Sequence, residues 1–267
     1  MGFAVRRLSA TAPRIYYHSS EEMPEIRDAS ANLVVASPPY TNCRDGKTLD
    51  KTEYLLFLSA VFREARRVLR PGGYLVTINT DLRDHARHNG GDKAFDGLVW
   101  HKHTAIRGVS EGIGFRCVDT KIWAKSLSGN PYRYTFAYVQ FFKKPASPRG
   151  RCACGRKEAA GFAADVWLLE GGMQRRDSAG RLFRDAVHPE IVSRCIERFT
   201  ARGDLVVSTF TGSGTVPAVA EILGRRCIGY EIDARLESLI EESVHHPERF
   251  PAYRTLLQRA TRKQAAE

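Results

Sequence analysis

The chain has 267 residues, 43% of them hydrophobic, so it can bury a full core and is not expected to be disordered. Its 41 Lys and Arg residues against 30 Asp and Glu residues give a net charge of +11, which favours a polyanionic partner over a small neutral substrate. The apolar runs are strand-sized and the N-terminal residues lack the apolar segment of a signal peptide, so we expect a cytoplasmic protein that does not cross a membrane.

The first informative segment is the turn Ser37-Pro38-Pro39-Tyr40, the proline turn, which follows an apolar run over 33–36. Two consecutive prolines remove two N–H donors and fix two φ angles, so the turn is rigid and its carbonyl oxygens are free to accept. A planar molecule could stack on Tyr40 while its amino group donates to Ser37 Oγ and the Pro38 carbonyl. These residues therefore predict a site for a flipped-out base with an exocyclic amine.

Segments with helical spacing alternate with strand-like runs after this turn. The predicted elements are, in order, a helix over 50–69 that Pro71-Gly72-Gly73 ends, a strand over 74–79, a polar loop over 81–97, a helix over 102–112, and strands over 117–123 and 135–142. Loops at the carboxyl ends of strands often close over a site. The alternation predicts an α/β fold with a mostly parallel sheet that has helices on both faces.

The stretch 145–184 interrupts this alternation and is rich in Gly, Ala and Arg. We predict a small basic lobe there, between a half over 1–144 that carries the proline turn and a second half of the same domain over 185–267. Clustered positive charge in such a segment favours contact with nucleic acid. The residues predicted to make this contact are Arg149, Arg151, Arg156, Lys157, Arg175 and Arg176.

The six cysteines are scattered, as expected for reduced thiols, and only Cys152 and Cys154 are close in sequence. A zinc site needs four ligands and usually a wider paired spacing. Histidines at 85, 88, 101 and 103 could add ligands, but the sequence has no second cysteine pair. No metal site is therefore predicted.

The second half returns to regular structure. Its predicted elements are a helix over 189–200, a strand over 205–208, a helix over 216–223, a strand over 227–230 and a final helix from about residue 234. The tail after Leu257 is polar, and we expect it to fray.

Residues 209–215, Thr-Phe-Thr-Gly-Ser-Gly-Thr, form the glycine turn between a predicted strand and a predicted helix. Glycines at such a turn let the backbone approach a ligand beside the helix N-terminus. Glu231 follows the next strand, where a carboxylate can accept from both hydroxyls of a ribose. A dinucleotide fingerprint would need a third glycine where Pro217 stands, and a P-loop would need a lysine that is absent. A cofactor with a ribose and no phosphate fits best, and S-adenosyl-L-methionine is the common one.

With both turns, the chain resembles the amino-methylating DNA methyltransferases, and the order of the motifs, SPPY first and FTGSGT near the C-terminus, resembles their circularly permuted β group. Three further segments agree, namely Arg70-Pro71-Gly72-Gly73, Ile122-Trp123-Ala124-Lys125 and His188-Pro189. The resemblance covers residues 14–239. It implies a Rossmann-like fold of the S-adenosylmethionine-dependent methyltransferases with a permuted motif order.

The resemblance also implies roles for individual residues. Ser37, Pro38, Pro39 and Tyr40 would hold the target base. The cofactor would contact Phe210, Thr211, Gly212, Ser213, Gly214, Thr215, Glu231, Ile232, His188 and Pro189. Ser before the two prolines is typical of cytosine-N4 enzymes and Asp of adenine-N6 enzymes. The implied activity is therefore N4-methylation of a flipped-out cytosine at a specific site in double-stranded DNA, as in restriction-modification.

Two features depart from the family pattern. Where the family often has Gly-Asp to contact the cofactor's adenine, this chain has His18-Ser19-Ser20, and the acid is absent unless Glu21 or Glu22 substitutes. The segment between Phe142 and Asp185 is short for a target-recognition region, so specificity could concern a short site or depend on a homodimer or on the 81–97 loop.

Three other functions remain open at this stage: methylation of adenine N6, amino-methylation of RNA, and a catalytically silent subunit that binds nucleic acid. A cognate restriction endonuclease would be a genetic rather than a physical partner. The sequence does not specify the recognition site.

Overall fold

The computed structural model describes residues 12–39, 49–83, 99–127, 134–146, 162–171, 174–180 and 182–266. The strands are β1 Arg14–Tyr16, β2 Ala31–Ala36, β3 Leu69–Asn79, β4 Leu82–Arg83, β5 Val99–Trp100, β6 Arg116–Ala124, β7 Phe136–Lys143, β8 Val166–Leu168, β9 Arg175–Arg176, β10 Leu182–Phe183, β11 Leu205–Ser208 and β12 Arg226–Tyr230. The helices are α1 Lys51–Val68, α2 Lys102–Gly112, α3 Pro189–Phe199, α4 Thr215–Ile222, α5 Glu237–His245 and α6 Arg254–Ala266. None of these helices is long and apolar enough to span a bilayer.

A sheet with the order β1-β12-β11-β2-β3-β7-β6-β8 forms the centre of the described structure. The five strands from β1 to β3 pair in parallel, β7 is antiparallel to both β3 and β6, and β8 is parallel to β6. The prediction of a mostly parallel α/β sheet is confirmed.

The position of β2 beside β11 decides where the site lies. Val206 pairs with Leu33 and Ser208 with Val35, so these two parallel strands end at the same edge. The chain continues from β2 into the proline turn and from β11 into the glycine turn. Two turns about 170 positions apart are therefore neighbours at the carboxyl ends of adjacent strands, where open α/β sheets bind ligands.

Side chains alternate between the two faces of β2 and enter different cores. Leu33 and Val35 pack with residues of α3, α4 and α6, whereas Val34 and Ala36 pack with residues of α1 and α2. Every residue of β2 is buried. Apart from Asn32 the strand is apolar, which is typical of a sheet covered on both faces, as the sequence predicts.

Helix α1 matches its predicted span, but the reason for its end differs from the prediction. Asp50 accepts from Glu53 N while Glu53 accepts from Asp50 N, which is a capping box. At the other end Lys144 Nζ donates to the carbonyls of Arg66 and Leu69. Pro71-Gly72-Gly73 lies inside β3 and not at the helix end. A lysine distant in sequence therefore satisfies carbonyls at the end of the helix, where the sequence predicted that Pro71-Gly72-Gly73 would end it.

Part of the predicted basic lobe belongs to the central sheet. Residues 166–168 form the edge strand β8, and the side chains of Phe162 and Trp167 are buried in the core. The C-terminal tail also differs from the prediction. It does not fray beyond Leu257, because α6 continues to Ala266 and Arg259 on it pairs with Glu190 of α3.

Candidate active site

A cavity of about 740 Å³ opens at the carboxyl ends of β2, β3, β11 and β12. The proline turn contributes Ser37, Pro38 and Pro39 to its wall. Seven of the residues predicted to contact the cofactor also line it, namely Phe210, Thr211, Gly212, Ser213, Thr215, Glu231 and Ile232. The structure therefore brings both motifs to one cavity. Tyr40 lies outside the described residues, so its predicted stacking role stays a prediction.

The described part of the proline turn presents one hydroxyl and two carbonyls. Lys102 Nζ donates to the carbonyls of Pro38 and Pro39 at 3.1 and 3.0 Å, and Tyr54 Oη donates to Pro39 O at 2.7 Å. Among the described residues, none hydrogen-bonds the Ser37 hydroxyl, which is half-buried at the cavity wall. The turn therefore offers a ligand one unused hydroxyl beside carbonyls whose positions are fixed.

The glycine turn is held by the acid at the end of the neighbouring strand. Glu231 Oε2 accepts from Gly212 N at 2.7 Å, and its Oε1 accepts from Asp233 N at 2.9 Å. Burial raises the pKa of Glu231, and these backbone hydrogen bonds offset part of that effect. Each carboxylate oxygen keeps a lone pair for a ligand donor.

Gly214 has a packing role, and its predicted contact with the cofactor stays a prediction. Its φ is +80°, and a Cβ at this position would lie 2.9 Å from Ile240 Cα of α5. Gly214 is not among the described residues that line the cavity. Glycine is needed here for the left-handed conformation and for the close approach of α5.

His188 and Pro189 have a structural role at the start of α3, and their predicted contact with the cofactor stays a prediction. His188 Nδ1 accepts from Glu190 N, so the imidazole caps α3, and Pro189 is buried in the first turn of that helix. Neither belongs to the described lining of the cavity, to which Asp185, Ala186 and Val187 contribute instead. Burial lowers the pKa of His188, which agrees with a neutral imidazole that accepts a hydrogen bond.

An acid does lie near His18, but it is not one of the two candidates that the sequence offered. His18 and Ser19 line the cavity, and Glu25 contacts His18 Nε2 at 3.0 Å and accepts from Tyr230 Oη at 2.8 Å. Burial works to lower the pKa of His18, but the hydrogen bonds with Glu25 and the Ser19 carbonyl and the nearby carboxylate charges together outweigh it, and the pKa is raised. Glu21 instead accepts from Ser19 Oγ. Glu25 is therefore the acid that contacts His18, and it does not belong to the described lining of the cavity.

The sequence motifs assign no role to Lys125, although it belongs to the segment Ile122-Trp123-Ala124-Lys125. Lys125 lines the cavity and donates to Thr80 Oγ1 at 3.3 Å. Burial lowers its pKa, and the charge of Asp185 opposes this shift. The side chain of Asn79, at the end of β3, also reaches the cavity, and its Oδ1 is buried without a partner.

The prediction that Arg175 contacts nucleic acid is wrong. Its side chain is only 2% exposed, lies over the Tyr253 ring and donates to Tyr253 Oη at 2.7 Å. Arg176, the next residue of the same strand, is exposed, and its predicted contact stays a prediction. The other four predicted residues, Arg149, Arg151, Arg156 and Lys157, lie outside the described ranges, as do Cys152 and Cys154.

Three possible metal ligands meet at the start of α2. Atoms of Asp81, His101 and His103 lie within 4.8 Å of one another. The Asp81 carboxylate is within hydrogen-bond distance of Nδ1 of both imidazoles and accepts from His103 N, so protein groups already satisfy it. The cluster anchors the first turn of α2 to the end of β3.

Comparison with known proteins gives one family. The model of the N6/N4 methyltransferase family, described as "DNA methylase", matches residues 31–242. The type II methyltransferase M.MthZI of Methanothermobacter thermautotrophicus is 31% identical, with 88% of this chain and 77% of that protein covered. M.MjaI of Methanocaldococcus jannaschii, another type II methyltransferase, is 29% identical, with 88% and 91% covered.

Solved structures share the fold. TTHA0409 of Thermus thermophilus, a proposed DNA modification methylase crystallised with S-adenosyl-L-methionine, is 26% identical with a TM-score of 0.70 over 90% of this chain and 95% of that one. The cytosine-N4-specific PvuII DNA methyltransferase is 18% identical with a TM-score of 0.65, covering 92% and 90%, which is a likeness of fold.

Proposed function

The chain belongs to the N6/N4 DNA methylase family, and on this premise we propose that it transfers a methyl group from S-adenosyl-L-methionine to N4 of a flipped-out cytosine in double-stranded DNA. The observation that supports this most is the cavity that the proline and glycine turns share. It places acceptors for an amine and a carboxylate for a ribose in one space, as a reaction between a base and a nucleoside cofactor requires.

The residues of the glycine turn fit the cofactor. Thr209 Oγ1 and Thr211 Oγ1 are buried at the cavity without a partner in the described structure, so they need a polar ligand. Glu231 can accept from ribose hydroxyls while it keeps its two backbone hydrogen bonds. Phe210 and Phe183 add apolar wall. S-adenosylmethionine supplies a methyl group activated by a sulfonium.

The residues of the proline turn act on the base. Cytosine N4 is a weak nucleophile because its lone pair is delocalised into the ring. Ser37 Oγ and the Pro38 carbonyl accept hydrogen bonds from the amino group and so raise the electron density on nitrogen in the transition state. Because the carbonyl is already fixed by Lys102, little reorganisation is needed when the base enters.

The preference for cytosine over adenine depends on Ser37, since Ser before the two prolines is typical of cytosine-N4 enzymes. The test is to express the protein in a host without DNA methylation, digest its DNA to nucleosides and analyse them by mass spectrometry. We expect N4-methylcytosine, and N6-methyladenine alone would contradict the cytosine assignment. Sequencing that detects this modification would give the recognition site.

The rival functions give different outcomes when the RNA of the same cells is also digested and analysed and when DNA binding is measured. Methylated nucleosides in the RNA fraction alone would favour an RNA enzyme. Tight binding to DNA with no methylated nucleoside in either fraction would favour a catalytically silent subunit.

We predict that the basic segment contributes salt-dependent affinity for DNA. Replacing Arg149, Arg151, Arg156 and Lys157 by Gln should flatten the plot of log affinity against log salt by about 0.9 for each phosphate that the variant no longer neutralises. Binding titrations at four or more salt concentrations measure this slope. Gln substitutions at four exposed residues that do not line the cavity, Arg116, Arg226, Arg254 and Arg262, are the matched control. An unchanged slope in the first variant would place the DNA-binding surface elsewhere.

A further inference from the structure

We propose that Lys102 is a positioning residue for the target amine, which it controls by fixing the Pro38 and Pro39 carbonyls from beneath the proline turn. This inference rests on the proposed function, because it assumes that Pro38 O accepts from the amino group of the base. The sequence motifs assigned no role to this lysine, and the proposed function uses it only as a fixed donor to Pro38 O.

Lys102 contacts Pro38 and Pro39, the two prolines proposed to hold the base. Its side chain is 1% exposed and its ammonium donates to Pro38 O at 3.1 Å and Pro39 O at 3.0 Å. The Tyr54 ring lies 5.2 Å from Nζ, and the Tyr54 hydroxyl donates to Pro39 O. Both carbonyls are therefore held by donors from the helices α1 and α2, and the prolines that carry them have no backbone donor of their own.

The ammonium is itself held rigidly. Lys102 is the first residue of α2, and Asp81 at the end of β3 accepts from the backbone N–H of His103. Gln140 of β7 donates to the His103 carbonyl at 3.2 Å. Gln140 on β7 and Asp81, two residues beyond the end of β3, therefore hold the helix turn from which Lys102 extends.

The Pro38 carbonyl can take a second donor besides Lys102. A carbonyl oxygen has two lone pairs, so Pro38 O can accept from Lys102 and from the base at the same time. The ammonium occupies one direction and thereby leaves the other for the amino group. Without it, the prolyl peptide plane could rotate and the acceptor would move relative to Ser37 Oγ. Displacements of about 1 Å at a reacting group can cost about 10²-fold in rate.

A purely structural role explains the choice of lysine less well. Burying an ammonium is costly compared with burying an uncharged side chain of the same length, such as Met. Tyr54 shows that an uncharged hydroxyl can also hold one of these carbonyls. The cost of burying the Lys102 ammonium is explained if the Pro38 and Pro39 carbonyls must both be held, with Pro38 O oriented for the amino group of the base.

The test compares Lys102→Met with Lys144→Met. Lys144 is the matched control, because its ammonium also donates to two main-chain carbonyls, those of Arg66 and Leu69, but at the end of α1 away from the cavity. With the methylation site known, single-turnover rates are measured at saturating cofactor and DNA. We expect Lys102→Met to lower the rate about 10²-fold with cofactor Kd within about twofold of wild type, and Lys144→Met to leave the rate within about threefold.

A second measurement separates positioning from folding. Duplexes with cytosine or with 2-pyrimidinone, which lacks the amino group, at the target position are titrated with each variant. The wild type and Lys144→Met should bind the cytosine duplex more tightly, and Lys102→Met should lose this difference. Lys102→Gln, which retains an amide donor, should recover part of the rate.

Three results would overturn the inference. One is an unchanged rate in Lys102→Met, and another is a loss of rate in proportion to a loss of cofactor binding or of folded protein in thermal unfolding. The third is an intact preference for the amino group in that variant. A wild type that methylates no DNA would instead overturn the proposed function and this inference with it.

Discussion

Replacing Ser37 by Ala is expected to lower the single-turnover rate of methyl transfer about 10²-fold, equivalent to about 2.7 kcal/mol, while cofactor affinity stays within about twofold. The hydroxyl lies at the cavity wall, and no described residue hydrogen-bonds it. Its removal therefore leaves no group of the described residues without a partner, and we expect the variant to lose only the interaction with the amino group of the base. Rapid-quench assays with labelled cofactor measure the rate, and isothermal titration measures the affinity.

Ser208→Ala is the matched control for this variant. Ser208 ends β11, beside the strand that leads into Ser37, and among the described residues its buried hydroxyl has no hydrogen-bond partner. It does not belong to the described lining of the cavity. The control should keep the wild-type rate. Equal losses in the two variants, or none in Ser37→Ala, would remove Ser37 from the catalytic site.

Replacing Glu231 by Ala should weaken cofactor binding by at least about 10²-fold, because hydrogen bonds to a charged group contribute about 1.5–3 kcal/mol each. Two ribose hydroxyls would lose their acceptor. Gly212 N and Asp233 N would also lose theirs, so the glycine turn would be less well fixed. Isothermal titration with S-adenosylmethionine and with its demethylated product measures the loss for both ligands.

The pH dependence of binding provides a further check on Glu231. The ionised carboxylate can accept from two donors, and burial raises its pKa. Affinity should therefore be complete above the pKa of the folded protein and fall as the pH drops through it, starting at a higher pH than for an ordinary glutamate. Glu231→Gln should remove this dependence.

Glu248→Gln is the control, since it removes an exposed carboxylate that pairs with His246 and does not line the cavity. It should bind the cofactor with wild-type affinity at every pH. Wild-type affinity in Glu231→Ala would show that another group takes the ribose.

Much of the fold follows from local sequence patterns. The span of α2 is the predicted one, and β11 and α1 also agree with their patterns to within about one residue, because apolar spacing, caps and turn residues act over a few positions. Local patterns do not reveal contacts between residues distant in sequence. The prediction that the glycines end α1 missed the contacts of Lys144, and the tail is helical because α6 packs on α3.

The site shows the same division. The proline and glycine turns and Glu231 could be recognised because each is a short motif with its own backbone chemistry. Arg175 was misassigned because a run of basic residues does not reveal which side chain faces inward. Lys102 and Glu25 could not be assigned, since they contact residues 63 to 205 positions away in the chain.

By itself, the sequence determined which chemical groups exist and which segments turn, because backbone preferences of proline, glycine and apolar runs operate locally. Only the tertiary structure decided that the two turns share one cavity, since parallel strands with long connections bring their carboxyl ends together. It also decided which charges are buried, because burial depends on packing between elements. The buried ammonium under the proline turn is one such consequence.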